Sequence, residues 1–328
     1  MRILLCALGA VLAAALPAKA DDSSAMLSAG GIVFTKSTPV RMAAEDLYVS
    51  PKAVRIRFEF ANDTAKDVET VVAFPLPDLD TAEFWGSAVG TLTDDARNFV
   101  GFTAKVDGKP VAFRIDQRAI LKGKDVTDEL LTAGVPVNVV AGEGYRQLDA
   151  LSPDKKKKLI AQGLADGGAD EFVPQWTVKT AFYWTQKFPA HKTVVIEHSY
   201  QPVTGQSFFS PGDMKRSDKY DNVDYCFDEP TWATLRTKSA AAKKAQGDAG
   251  GYLNAYQTGY ILMTARNWSG PIGRFHLTLD KLKPDNVLSL CWDGALKRSG
   301  PTTFEFTQTN FTPARDIHLL VLETQKAQ

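Results

Sequence analysis

Three shortages frame this 328-residue chain: it has 3 cysteines, 4 histidines and no excess of either charge, with 38 Lys+Arg against 38 Asp+Glu. A chain without a net positive charge lacks the field that holds a protein on a phosphate backbone, which argues against nucleic acid as a partner. The histidines stand at 191, 198, 276 and 318, and no two have the i, i+2 or i, i+4 spacing that puts a pair of imidazoles on one metal. No metal ligand is therefore assigned. Gly205-Gln206-Ser207 runs on into Phe208-Phe209 without the second glycine of a nucleophile elbow. Gly142-Glu143-Gly144 lacks the third glycine of a dinucleotide loop, and no phosphate loop ends in Gly-Lys-Ser/Thr. Neither a catalytic residue nor a cofactor is assigned, although triads and paired carboxylates can assemble from distant positions.

Long hydrophobic runs are also missing. After the N-terminus the best candidate is the short stretch Ile317 to Leu322, far below the roughly twenty residues of a membrane-crossing helix. At the N-terminus, Arg2 precedes an apolar run from Ile3 to Leu16, and Ala18-Lys19-Ala20 comes just before Asp21-Asp22. That is the layout of a secretory signal with cleavage after Ala20. Cys6 leaves with residues 1–20, and the mature chain keeps 36 Lys+Arg against 38 Asp+Glu, a net charge of −2. The expected location is periplasmic or secreted.

What remains is strand-rich. Val54, Ile56, Phe58 and Phe60 alternate with Arg55, Arg57 and Glu59, one face buried and one wet. Asn62-Asp63-Thr64 supplies turn residues before a second run, Val68 to Phe74, so the pattern predicts an antiparallel hairpin. Phe102 to Val106 and Val111 to Ile115 flank Asp107-Gly108, which accepts the positive φ angles of a tight hairpin turn. Between 121 and 172 the period changes. Asp125 can cap a helix that ends at Gly134, and Ser152-Pro153 opens another that closes near Gly163. Strand periodicity returns with Trp176, Val178, Phe182 and Trp184 on one face, then Val194, Ile196, His198 and Tyr200 after the Phe188-Pro189-Ala190 corner. A polar stretch from Ser210 to Tyr225 precedes a helix from about Pro230 to Lys244, and the remainder reads as strands. Strands come in runs and do not alternate with helices. The expectation is a mainly β protein of two antiparallel β-sandwich modules, 21–210 with a helical insertion at about 121–172, and 211–328 with a linker and a connecting helix.

Other clusters have plainer explanations. Asp213, Asp218, Asp221, Asp224 and Asp228 do not match a calcium loop and are interleaved with Lys215, Arg216 and Lys219, as in a solvated linker. Trp176 and Trp184 read as core before they read as a sugar-stacking platform. Lys155 to Lys158 could meet an anionic polymer, but four successive helix positions spread around the axis.

Several segments resemble an exported bacterial family, domain of unknown function 4424. They are Gly30-Gly31-Ile32, Met42 with Glu45, Leu47 and Ser50, Phe74-Pro75-Leu76-Pro77, Phe188-Pro189-Ala190, His198-Ser199-Tyr200 with Pro202 and Gly205, and Asn267 to Gly273. The resemblance implies a periplasmic or secreted protein and carries over no catalytic residue. Val54 to Pro77 is also similar to the N-terminal β-module of inter-alpha-trypsin inhibitor heavy chains, an analogy of fold that would favour an interaction scaffold. Two function classes follow: a non-enzymatic envelope protein that binds an unidentified protein or ligand, or a hydrolase of envelope carbohydrate or peptide. The first is preferred.

Cys226 and Cys291 are the two thiols left after export, and an oxidising compartment favours their pairing, with about 4 kcal/mol of stabilisation from the chain-entropy model. One intact-mass measurement on the non-reduced exported protein checks both readings. The chain is expected to start at Asp21 and to take up no thiol-alkylating label until it is reduced. A start at Met1, or two labelled thiols, would contradict them.

Overall fold

The computed structural model describes residues 23–28, 31–35, 39–85, 93–140, 142–168, 171–210, 225–247 and 251–324. The expected signal, 1–20, and most of the Ser210 to Tyr225 stretch with its aspartates lie outside them. The main strands are β1 (Val40–Ser50), β2 (Ala53–Asn62), β3 (Val68–Pro75), β4 (Arg114–Leu121), β5 (Thr177–Phe188), β6 (Lys192–Tyr200) and β7 (Thr204–Phe209), followed by β8 (Leu253–Tyr260), β9 (Ile272–Asp280), β10 (Thr303–Phe311) and β11 (Ile317–Thr324). The helices are α1 (Thr81–Phe84), α2 (Thr127–Thr132), α3 (Gly142–Asp149), α4 (Pro153–Ala161) and α5 (Glu229–Gln246). The protein is mainly β.

Three sheets carry these strands. The first runs Lys124–Asp125, β4, β5, β3, Ser23–Ser28, Gly31–Phe34, and Leu79–Asp80 also pairs with β5. The second runs Lys297–Arg298, β10, β9, β1, β2, β6, Thr103–Val106, Lys109–Pro110. The third is β7, β8, β11 and Val287–Ser289. The inner faces of the first two meet in a shared core, where Phe102 stacks on Phe182 at 4.1 Å and Phe60 meets Phe188 edge-on at 5.8 Å. Period two explains the burial: Val54, Ile56, Phe58 and Phe60 are buried, as are Val194, Ile196, His198 and Tyr200 opposite them.

The expected hairpin of β2 with β3 is not formed. β2 belongs to the second sheet and β3 to the first, so residues 63–67 are a corner between sheets. The hairpin partner of β2 is β1, through a turn at Pro51-Lys52. Asn62 explains the difference. Its buried amide donates to Lys66 O (2.8 Å) and to Phe188 O (2.9 Å), tying this corner to the one between β5 and β6. The Asp107-Gly108 hairpin is present, with φ 48° and 75°, but its return strand is only Lys109–Pro110.

The strands also cross the division expected at residue 210. β9 pairs in parallel with β1, Phe275 beside Glu45 and Leu277 beside Leu47, so chain from 272–311 completes a sheet begun at 40–62. Gly273 permits that approach: a Cβ there would lie 2.6 Å from the carbonyl oxygen of Ala43, at the register shift between Met42 and Ala44. Two separate sandwiches therefore do not describe the pairing. The helical expectations fare better. Asp125 Oδ1 accepts from Thr127 N at the start of α2, and Ser152 and Asp228 cap α4 and α5. No helix among the described residues is long and apolar enough to cross a membrane.

His198 sits in the core among Phe74, Phe102, Phe58 and Trp184, with ring centroids 4.9 to 5.7 Å away. Burial penalises the imidazolium and lowers its pKa to about 3. The unfolded chain takes up this proton near pH 6.5 and the folded one does not. The contribution, at most about 5 kcal/mol, is therefore complete above pH 6.5 and lost as pH falls towards 3. Melting temperatures from pH 7 to 5 are expected to fall more steeply in the wild type than in His198→Leu; parallel slopes would contradict this.

Candidate functional site

The third sheet has two unlike faces. Leu253 and Ala255 of β8 and Leu320 and Leu322 of β11 point to one side, where they bury Trp232 and Leu235 of α5 together with Phe209 and Phe227. Tyr260, Leu319 and Val321 point to the other and join the main core. α5 covers only part of its face. Beyond the helix, Gly205, Gln257 and Gly259 form the floor of a cleft of about 220 Å³.

A strap made by residues 76–84 forms the facing wall. Leu76 N donates to Thr180 O (2.9 Å), and Leu79–Asp80 pairs with Thr177 and Val178 of β5. Asp80 caps α1 by accepting from Ala82 N (2.9 Å) and Glu83 N (3.2 Å), and Thr81 Oγ1 donates to Trp176 O (2.6 Å). These bonds aim Phe84 and Glu83 at the cleft, beside Pro77 and Leu79. Tyr225 closes another side. Its carbonyl accepts from Ser289 Oγ (2.7 Å), and the adjacent Cys226 stands at disulfide distance from Cys291, Cα to Cα 4.9 Å.

The two floor glycines keep the cleft open. A Cβ on Gly259 would touch Pro77 Cγ at 3.4 Å, and one on Gly205 would meet Gln257 Oε1 at 3.3 Å and Phe84 at 3.8 Å. The lining is largely apolar with a few polar groups, the usual form of a small-molecule site. The charged side chains lining it are carboxylates, Asp78 and Glu83, with His318 beside them; Asp78 is ion-paired with Lys179. The cleft can hold an apolar ligand of modest size and would disfavour an anion.

A second concavity, about 360 Å³, lies on the outer face of the second sheet. There the register aligns Lys105, Glu197, Arg57, Asp46 and His276 across five strands. Arg274 donates to both oxygens of Asp46 at 2.9 Å and holds that carboxyl below the usual carboxylate range. Alternating signs across neighbouring strands stabilise a solvated sheet face. This row is explained as structure.

Of the residues singled out from sequence, Trp176 and Trp184 are core: Trp176 Nε1 donates to Val137 O (2.7 Å) and Trp184 Nε1 to Gln186 Oε1 (3.1 Å). Among the described residues no group of three or more His, Cys, Asp or Glu could hold a metal ion. Sequence reasoning missed the cleft itself, yet its signals were visible: Leu76, Pro77, Tyr200, Pro202 and Gly205, from two segments with the family resemblance, all line it.

A family model described as "Domain of unknown function (DUF4424)" matches residues 20–320. No curated protein matches the chain. A crystal structure described as a "putative nutrient binding protein" from Legionella pneumophila is similar over 88% of this chain and 68% of that one, with 15% identity and a TM-score of 0.43.

Replacing Asp80 with Ala removes the cap that orients the strap. The expected outcome is a loss of about 1 kcal/mol in denaturant unfolding, with faster hydrogen exchange at the Ala82 and Glu83 amides.

Proposed function

We propose that this chain, which belongs to the DUF4424 family, is an exported, non-enzymatic binding module of the bacterial envelope whose ligand enters the cleft beneath the 76–84 strap. The observation that carries the reading is the pair of glycines in the cleft floor, since a side chain at either position would narrow it. Export draws support from the signal-like N-terminus and from the Cys226–Cys291 pair, whose covalent bond would hold the Tyr225 wall in place. A binding role fits the lining: apolar surface supplies affinity, and the polar groups of Glu83, Gln257 and His318 supply orientation. The ligand is compact, apolar-bodied, and neutral or cationic. None of the residues lining the cleft favours hydrolysis over binding.

The neutral dye N-phenyl-1-naphthylamine tests this. Saturable fluorescence enhancement at one dye per chain is expected, with little for the anionic anilinonaphthalene sulfonate. Gly259→Val, which places a branched side chain against Pro77, is expected to abolish the signal while the protein keeps its fold and melting temperature within a few degrees. A signal unchanged by that substitution, or no saturable binding, would overturn the assignment.

A further inference from the structure

Helix α5 leaves the other face of the third sheet untouched, and that face is not all core. Period two puts Gln206 and Phe208 of β7 on the same side as Tyr256 of β8 and Glu323 of β11, with Gln206 directly opposite Tyr256. There a cleft of about 440 Å³ opens between these strands, the Pro51-Lys52 turn and the 282–286 loop.

The cleft combines two kinds of group. Tyr256 presents a half-buried ring packed against the core, and burial raises its phenol pKa, so the hydroxyl stays a donor. Around it stand the side-chain amides of Gln201 and Gln206, neither hydrogen-bonded among the described residues, and the ion pair of Lys283 with Glu323. The 282–286 loop is held firmly. Lys281 Nζ donates to Pro284 O and Asn286 O, both at 2.6 Å, and Asn286 Nδ2 returns a bond to Lys281 O at 2.8 Å. Beyond the cleft the aromatic surface continues: Phe208 is 69% exposed, Tyr252 is 41% exposed, and their rings are 6.3 Å apart.

We propose that this face binds a neutral glycan chain, with Tyr256 as the ring on which one sugar stacks in the cleft and Phe208 and Tyr252 as the platform for the units that follow. A sugar ring offers a flat C–H face that suits an aromatic ring. Its hydroxyls each donate and accept, which a planar amide carrying both functions can match. Unbonded glutamine amides beside an aromatic face are the chemistry of that ligand. An apolar protein partner would leave the amides of Gln201 and Gln206 buried without partners, which opposes binding. This site is on the opposite face of the sheet from the strap cleft, and neither assignment depends on the other.

Affinity electrophoresis of the mature protein in gels containing hydroxyethylcellulose, yeast mannan or alginate tests the proposal. Retardation by at least one neutral polymer, hydroxyethylcellulose or mannan, is expected, with affinity reduced tenfold or more in Tyr256→Ala and retained in Tyr256→Phe. Phe208→Ser, at an exposed position that cannot unsettle the core, is expected to weaken binding several-fold, so a failure of Tyr256→Ala to fold still leaves a decisive variant. Migration unaffected by both neutral polymers, retardation by alginate alone, or retardation unchanged in Phe208→Ser and Tyr256→Ala would overturn it.

Discussion

The side chain of Asn62 uses its whole hydrogen-bonding capacity inside the protein. Its amide nitrogen donates to Lys66 O and Phe188 O, and its oxygen accepts from Thr64 N and Thr64 Oγ1. The first pair joins the two corners by which the chain leaves one sheet for the other. Asp67 adds to the same junction by accepting from Ala190 N (2.9 Å), and His191 N donates to Thr64 O (3.2 Å). With the corners fixed together, the inner faces of β2 and β6 must lie over those of β3 and β5. The stacking of Phe102 on Phe182 and the burial of His198 follow from that superposition.

A second buried polar contact ties the third sheet to this pair. Glu45 faces the core beside Phe58 and Phe275, fully buried, and accepts from Tyr260 Oη at 3.4 Å. A buried carboxyl is costly without partners, so this position resists drift once formed. Tyr260 ends β8, the strand that supplies Gln257 and Gly259 to one cleft and Tyr256 to the other. Both proposed sites therefore depend on one strand anchored at its end in the main core. The strap and α5 on one face, and the Pro51-Lys52 turn and the 282–286 loop on the other, decide which parts of that strand stay open.

Much of the local structure was legible. Ser152 and Asp228 act as helix caps, and Asp125 accepts from Thr127 N just ahead of α2, because a short side-chain acceptor satisfies backbone N–H groups a few residues away. α3 was not legible: it starts at Gly142-Glu143-Gly144, a poor helix opening, and Gly144 is required because a Cβ would clash with Asn138 O at 1.8 Å, a tertiary reason. The corner at 63–67 was misread as a hairpin turn because turn residues report that the chain reverses and not which strand it then meets. The strap cleft showed only through residues of two segments that carry the family resemblance, since the 76–84 strap and the Tyr225 wall lie far apart in the chain.

The sequence by itself determined which faces of the strands are buried and where α2, α4 and α5 begin, because these depend on side-chain period and local capping. Tertiary structure alone decided that β9 lies parallel to β1, that β2 and β3 part into opposing sheets, and that Gly205 and Gly259 floor a cleft. Period two says only that a face is buried, and many sheet orders bury the same faces. The choice among them is made by contacts between residues distant in the chain, such as Asn62 with Phe188 and Glu45 with Tyr260, which leave no local trace.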